Sequence, residues 1–176
     1  VSLDAPGVRE CQRGAYWAIW SHFTASGEPA LVSLPTGAGK TALMQLVAYG
    51  MRARRVLIIT PSAVLRDQTR EQFRSLATLK EAGAVRGSIK PPSAHSQETR
   101  LSSKAEWRRL ASHDVVVATP ACVSPEQPGV VRPPKGLFDL VFFDEAHHAP
   151  ARTWAALVKA FESATVRRVM LTATPF

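Results

Sequence analysis

Cysteine is scarce in this sequence: Cys11 and Cys122 are its only two among 176 residues. Two cysteines so far apart match no metal-ligand spacing and make a poor staple for a chain of this length, which argues against disulfide scaffolds and zinc modules. Two free thiols are the expectation. His147 and His148 are adjacent, and neighbouring side chains on a helix diverge, so they make no metal site of their own. Long apolar runs are missing too. None approaches the roughly 18 residues of a membrane span, and the opening residues lack the charged, apolar, small-residue layout of a secretory leader. A cytoplasmic protein that touches no membrane is expected. Acidic residues are in short supply, 14 against 22 lysines and arginines, for a net charge of +8. A surplus of that sign points to polyanionic partners, nucleic acid above all. No internal repeat is visible, and the length suits one domain.

Short apolar, partly β-branched runs recur at 30–34, 55–60, 114–118, 137–143 and 168–173. Helical stretches alternate with them. Residues 13–23 precede the first run, 41–51 follow it, 62–79 carry Val64, Leu65, Phe73 and Leu76 among charges, and 152–160 put Trp154, Leu157 and Val158 on one face. Such alternation predicts an α/β fold, a mostly parallel sheet with helices on both faces. Two stretches read as loops: 83–103, rich in serine, proline and charge, and 124–136, with Pro125, Pro128, Pro133 and Pro134.

The run ending at Leu34 leads into Pro35-Thr36-Gly37-Ala38-Gly39-Lys40-Thr41. Gly37 and Gly39 have no side chain to block a phosphate, and they let successive backbone N–H groups converge on one centre. Lys40 supplies a compact positive charge for β- and γ-phosphates, and the Thr41 hydroxyl can ligate Mg²⁺. A helix starting here adds its amino-terminal dipole to the anion site. Leu34 stands where the general phosphate-loop pattern has glycine, which favours the P-T-G-x-G-K-T variant.

The run 140–143 ends in Asp144-Glu145-Ala146-His147, at a strand's carboxyl end, where open α/β sheets bind ligands. Asp144 suits Mg²⁺, directly or through water, and Glu145 suits the orientation and deprotonation of an attacking water. Neither motif hydrolyses a nucleotide alone. In this order, and each behind a strand-like run, they predict an ATPase that uses ATP and Mg²⁺.

With these motifs the chain resembles the first RecA-like domain of superfamily 2 helicases and translocases of the DEAD/DEAH type. The likeness is strongest to the branch of type I and type III restriction-enzyme motor subunits and DNA-repair helicases. It covers nearly the whole chain. Residues 34–41 are similar to motif I and 144–147 to motif II. Thr60-Pro61, with Leu65 and Gln68, resembles motif Ia, and Ala118-Thr119-Pro120 resembles the next motif that contacts nucleic acid. Leu171-Thr172-Ala173-Thr174-Pro175 resembles motif III, which in the family links hydrolysis to strand movement. Val8-Arg9 with Gln12 resembles an adenine-reading L-R-P-x-Q element, although Glu10 replaces the proline and Cys11 the common aromatic. The resemblance implies that Gln12 and residues Pro35 to Thr41 hold the nucleotide, that His147, Thr172 and Thr174 couple it to movement, and that Thr60, Pro61, Thr119 and Pro120 touch nucleic acid. The T-A-T-P form and the L-R-P-x-Q-like start lean toward DNA over RNA.

The resemblance also implies that residues 1–176 are one amino-terminal ATP-binding domain. A second RecA-like domain, absent from this sequence, would supply arginine fingers; Arg152, Arg167 and Arg168 sit in no motif that would make them fingers. Between residues 83 and 109, Arg86, Lys90, Arg100, Lys104, Arg108 and Arg109 oppose only Glu98 and Glu106, with Trp107 among them. That stretch reads as a basic patch with a base-stacking tryptophan, or as a solvated insertion whose tryptophan packs inward. Two further readings stay open: a P-loop ATPase acting on something other than nucleic acid, and a non-hydrolysing nucleic-acid-binding module. The helicase-like threonine-proline motifs argue against the first, and intact Lys40, Thr41, Asp144 and Glu145 against the second.

Overall fold

The computed structural model describes residues 1–145 and 151–173, with the side chains of 151–153 left out. Six strands form one all-parallel sheet: β1 (Ala30–Ser33), β2 (Val56–Ile59), β3 (Ala94–Gln97), β4 (Val115–Ala118), β5 (Leu140–Asp144) and β6 (Arg167–Thr172). Their order across the sheet is β1-β6-β5-β2-β4-β3. The central strands β2, β4 and β5 are buried at every residue, as continuous Val, Ile and Phe runs demand when both faces are covered.

Alternate residues feed two cores. Ile58, Val117, Phe142 and Val169 join one face with Leu43, Leu46 and Phe73. On that side lie the helices α1 (Glu10–Ala25), α2 (Lys40–Gly50) and α3 (Ala63–Ser75). Leu57, Val116, Val141 and Phe143 join the other face with Trp107, Trp154, Leu157 and Phe161. A short α4 (Ala77–Glu81) follows α3, and α5 (Lys104–Arg109), α6 (Pro120–Val123) and α7 (Ala151–Ala160) complete the set.

Two expectations needed correction. The 62–79 helix is two, because Leu76 adopts a left-handed backbone (φ 53°) while fully buried, and α4 restarts from it. Side-chain burial of Leu76 outweighs the backbone preference that would have kept one helix going. The loop expected at 83–103 contains β3. Its sequence, Ala-His-Ser-Gln, has no apolar run, since an edge strand has one flank and part of its face in water. Of the two readings of Trp107, inward packing is the one the structure bears out. It is fully buried, donates its indole N–H to the Val131 carbonyl at 2.7 Å, and meets Phe138 and Phe161 edge-to-face.

The basic stretch is likewise not one patch. β3 carries the chain from the amino edge of the sheet to the carboxyl edge. Lys90 lies beside Asp114 and Val115 at the amino edge, while Arg100 follows β3 at the other. Among the described residues no helix is long and apolar enough to cross a membrane.

Candidate functional site

The site is assembled at the carboxyl edge of the sheet. β1 hands the chain to the glycine loop, and the first residue past it, Leu34, donates its N–H to the Thr172 carbonyl at the end of β6 (2.9 Å). A tight turn follows, closed by the Ala38 N–H on the Pro35 carbonyl (3.1 Å). Thr36 and Gly37 face solvent, Ala38 is buried, and Lys40 and Thr41 are half-buried at the start of α2. Gly37 and Gly39 both sit in the left-handed region, at φ 80° and 82°. At Gly39 two constraints coincide, because a Cβ there would lie 2.4 Å from the Gln12 amide nitrogen. Two left-handed glycines in one turn are the kind of backbone from which anion nests are built.

Asp144 is the last residue of β5 and is buried. Glu145 turns the chain in a left-handed conformation, φ 52°, a backbone state that costs a non-glycine residue on the order of 1 kcal/mol and clusters at functional sites. That turn brings its carboxylate onto Lys40: Nζ and Oε1 are 2.7 Å apart, with both side chains mostly shielded from water (12% and 16% exposed). β6 lies between β1 and β5, pairing Thr172 with Ser33 and Leu171 with Asp144. Thr172, buried, therefore sits between the cradle and the acidic pair. His147 and Thr174 lie outside the described residues.

Gln12 has been drawn into the same site. It is 5% exposed, and its amide nitrogen donates to the carbonyls of Ala38 (2.9 Å) and Gly39 (3.3 Å). Its oxygen accepts from the Arg9 N–H at 3.1 Å. The amide nitrogen thus fastens the start of α1 to the glycine loop, while the oxygen caps α1 itself. The Arg9 guanidinium adds a bond to the Gly37 carbonyl, a contact that the spacing of Val8-Arg9 and Gln12 did not reveal. Beside the loop opens a cavity of about 400 Å³, lined by Val8, Arg9, Gln12, Thr41, Leu46 and Leu79 among others. Its volume falls in the range of small-molecule sites. The donor set fits a Mg-nucleotide: a lysine and a glycine nest for phosphates, and a hydroxyl (Thr41) and a carboxylate (Asp144) for a hard cation.

The profile of the family described as "Type III restriction enzyme, res subunit" matches residues 6–176. The chain belongs to that family. Solved structures with the same fold include the UvsW helicase of bacteriophage T4 (18% identity, TM-score 0.58, covering 94% of this chain and 52% of that one). A hypothetical ATP-dependent RNA helicase of Sulfolobus tokodaii matches at 21% identity and TM-score 0.61, over 94% of this chain and 46% of that one. The Hef helicase domain of Pyrococcus furiosus matches at 26% identity and TM-score 0.54, over 96% and 33% respectively. The chain thus spans about half the length of the first two and a third of the last. No curated protein sequence matches it. Family and fold together make this res-family chain a domain of the superfamily 2 helicase type.

Within the res-family domain the other expected residues continue along the same edge. Thr60-Pro61 follow β2 and Thr119-Pro120 follow β4. The two loops are joined directly, the Thr60 N–H donating to the Ala118 carbonyl at 2.9 Å. Thr60 is fully buried and its hydroxyl faces the Ser62 and Ala118 carbonyls (3.3 and 3.5 Å), so it braces the loop and offers no hydroxyl outward. Pro61, Thr119 and Pro120 are partly exposed. Ser62 caps α3 by accepting from the Leu65 N–H at 3.3 Å. Of the arginines weighed as fingers, Arg167 lies at the amino end of β6, on the far edge. Arg168 is buried, its guanidinium donating to the Gly27 and Val158 carbonyls. The side chain of Arg152 is outside the described residues.

Proposed function

We propose that this domain is the nucleotide-binding half of a DNA helicase or translocase, binding Mg-ATP at the carboxyl edge of β1, β6 and β5 and nucleic acid at that of β2 and β4. The observation that carries this reading is the strand order. It lays the cradle, Thr172, Asp144, Thr60 and Thr119 along one edge in that sequence, so the hydrolysis residues and the proposed strand-contacting loops are neighbours on a single rigid sheet. Gly37, Gly39 and Lys40 would receive the β- and γ-phosphates, and the cavity edged by Gln12 would receive the base. Thr41 and Asp144 would hold Mg²⁺, which when bound draws charge off the phosphate oxygens.

Glu145 is the residue placed to orient and deprotonate the attacking water. Its Oε1 is paired with the Lys40 ammonium at 2.7 Å, so a γ-phosphate bound in the cradle would share Lys40 with this carboxylate. Thr172, bonded through its carbonyl to the start of the loop, is positioned to pass a change in the loop to β6 and on to the rest of motif III. A second RecA-like domain in the whole protein would close the site and supply an arginine.

Lys40→Ala tests the cradle. A charge-assisted contact of this kind contributes about 1.5–3 kcal/mol, so calorimetric affinity for ADP or ATP should fall roughly ten- to a hundredfold with the fold intact. Unchanged affinity would remove the phosphate-loop assignment.

The nucleic-acid half is tested by salt. Loops that present backbone N–H groups to phosphates carry little sequence information. Binding of oligonucleotides should be weak, tolerant of sequence, and should lose affinity steeply as salt rises. Anisotropy titrations of matched DNA and RNA oligonucleotides between 50 and 200 mM salt, on the order of the range where this slope is read, should show DNA bound more tightly. A flat salt dependence, or a strong preference for one sequence, would count against the reading.

A further inference from the structure

The edge strand β3 is held to the sheet on one flank only, by β4, in the register Ala94↔Val115 to Gln97↔Ala118. At its carboxyl end a second set of bonds takes over, and it centres on a residue that no motif singled out. Arg66, in the first turn of α3, is 8% exposed. Its guanidinium forms a two-pronged pair with the neighbouring Asp67, Nε to Oδ1 and Nη2 to Oδ2, both 2.9 Å. The remaining donors reach β3: Nη1 to the Gln97 carbonyl at 3.4 Å and Nη2 to the Glu98 carboxylate at 3.5 Å. Asp67 completes the junction by accepting from the Ser96 hydroxyl at 2.8 Å. From the opposite side, the Cys122 thiol of α6 donates to the Glu98 carbonyl at 3.4 Å, and the Cys122 carbonyl accepts from the Leu101 N–H at 3.0 Å.

Three elements therefore meet at residues 96–98: α3, the end of β3, and α6. α3 is the helix that Thr60-Pro61 leads into, and α6 begins at Pro120, directly after Thr119. A buried guanidinium is costly to desolvate, and an apolar side chain of similar length commonly stabilises such a position as well or better. What arginine adds is a planar fork that fixes direction, which neither methionine nor lysine reproduces. The bidentate pair with Asp67 leaves Arg66 one orientation, and that orientation points at β3.

We propose that Arg66 is a positioning residue for nucleic acid: it ties α3 to the carboxyl end of β3, where Cys122 already ties α6, and so locks the loops after β2 and β4 in one relative placement. The inference rests on reading those loops as the strand-contacting surface. Arg66 itself is buried and touches no phosphate. Its effect is to hold the starts of α3 and α6, directly after Pro61 and Thr119, on a spacing set by the sheet.

The test uses the full-length protein with Arg66→Met, Arg66→Lys and Ser96→Ala, each checked for folding by circular dichroism. Affinity for a labelled single-stranded oligodeoxynucleotide is measured across a salt series, beside affinity for a fluorescent ADP analogue. Arg66→Met should weaken oligonucleotide binding about tenfold and make the salt slope shallower by roughly one phosphate contact, with ADP-analogue affinity within about twofold of wild type. Arg66→Lys, which keeps the charge without the fork, should recover only part of the loss. Ser96→Ala should produce a smaller loss of the same kind, and with Arg66→Lys it carries the test if Arg66→Met does not fold. A merely structural role predicts a lower melting temperature with slope and affinity unchanged in the folded variants, and that result would overturn the proposal. Wild-type protein that binds no oligonucleotide at any salt would instead remove the strand-contact reading beneath it. Equal loss of both ligands would overturn the positioning role by showing general damage.

Discussion

Glu145→Gln should leave Mg-ATP bound and stop its hydrolysis. Glutamine keeps the shape and the hydrogen-bonding reach of the side chain but cannot take a proton, and a positioned general base contributes typically 10²–10⁴-fold in rate. In the full-length protein, turnover should therefore drop by about a hundredfold or more. The 2.7 Å pair between Lys40 and Glu145 adds a second expectation of opposite sign. With the carboxylate gone, phosphate no longer competes with it for Lys40, so Mg-ATP affinity should be equal to or tighter than that of wild type. Loss of turnover with tighter binding separates Glu145 from Lys40, whose replacement weakens binding itself. Asp144→Asn should differ again, by raising the Mg²⁺ concentration needed for binding and turnover. A Glu145→Gln enzyme that turns over within a few-fold of wild type would mean another residue orients the water.

The phosphate and acidic motifs were legible in the sequence because each is local. A nest needs consecutive residues, and a strand-end carboxylate pair needs only the strand before it. Both were therefore readable from about ten residues of context, together with the buried strands β2, β4 and β5, whose apolar runs have no other explanation. The parts that were not legible depend on contacts between segments far apart in sequence. Gln12 could be marked as part of the site only by its resemblance to a family element, and its bonds to the Ala38 and Gly39 carbonyls span 26 and 27 residues. Arg66 reads as one more charge on an amphipathic helix until β3 is placed against it, and β3 itself was hidden by its polar sequence. Trp107 among six cations left two readings open, and the helix α5 that carries it turns it inward and leaves the charges out. In each case a partner distant in sequence decided what the element or its side chain did.

The largest expected effect concerns the proposed second RecA-like domain. During phosphoryl transfer, charge builds on the γ-phosphate oxygens, and Lys40 meets it from one side only. An arginine delivered from the other side is worth roughly 10³–10⁵ in rate in the GTPase systems where it has been measured. Five of the described arginines are engaged or placed elsewhere. Arg66 and Arg74 are paired with carboxylates on or beside α3, Arg168 is spent on backbone carbonyls, and Arg167 sits at the opposite edge of the sheet. Arg9 reaches the glycine loop, but it bonds the Gly37 carbonyl. Residues 1–176 expressed alone should accordingly bind Mg-nucleotide and hydrolyse ATP several hundredfold more slowly than the full-length protein, on the order of the smallest measured arginine effects, and DNA should stimulate that residual rate little. Adding a second RecA-like domain from the whole protein should restore both rate and stimulation, measured as phosphate release with and without DNA. Robust DNA-stimulated turnover by residues 1–176 at nanomolar concentration would overturn the two-domain requirement. A rate per molecule that climbs with protein concentration would place the missing arginine on a second copy of this chain, where Arg13, Arg52, Arg54 and Arg100, exposed or partly exposed on the surface, become the candidates to replace one by one.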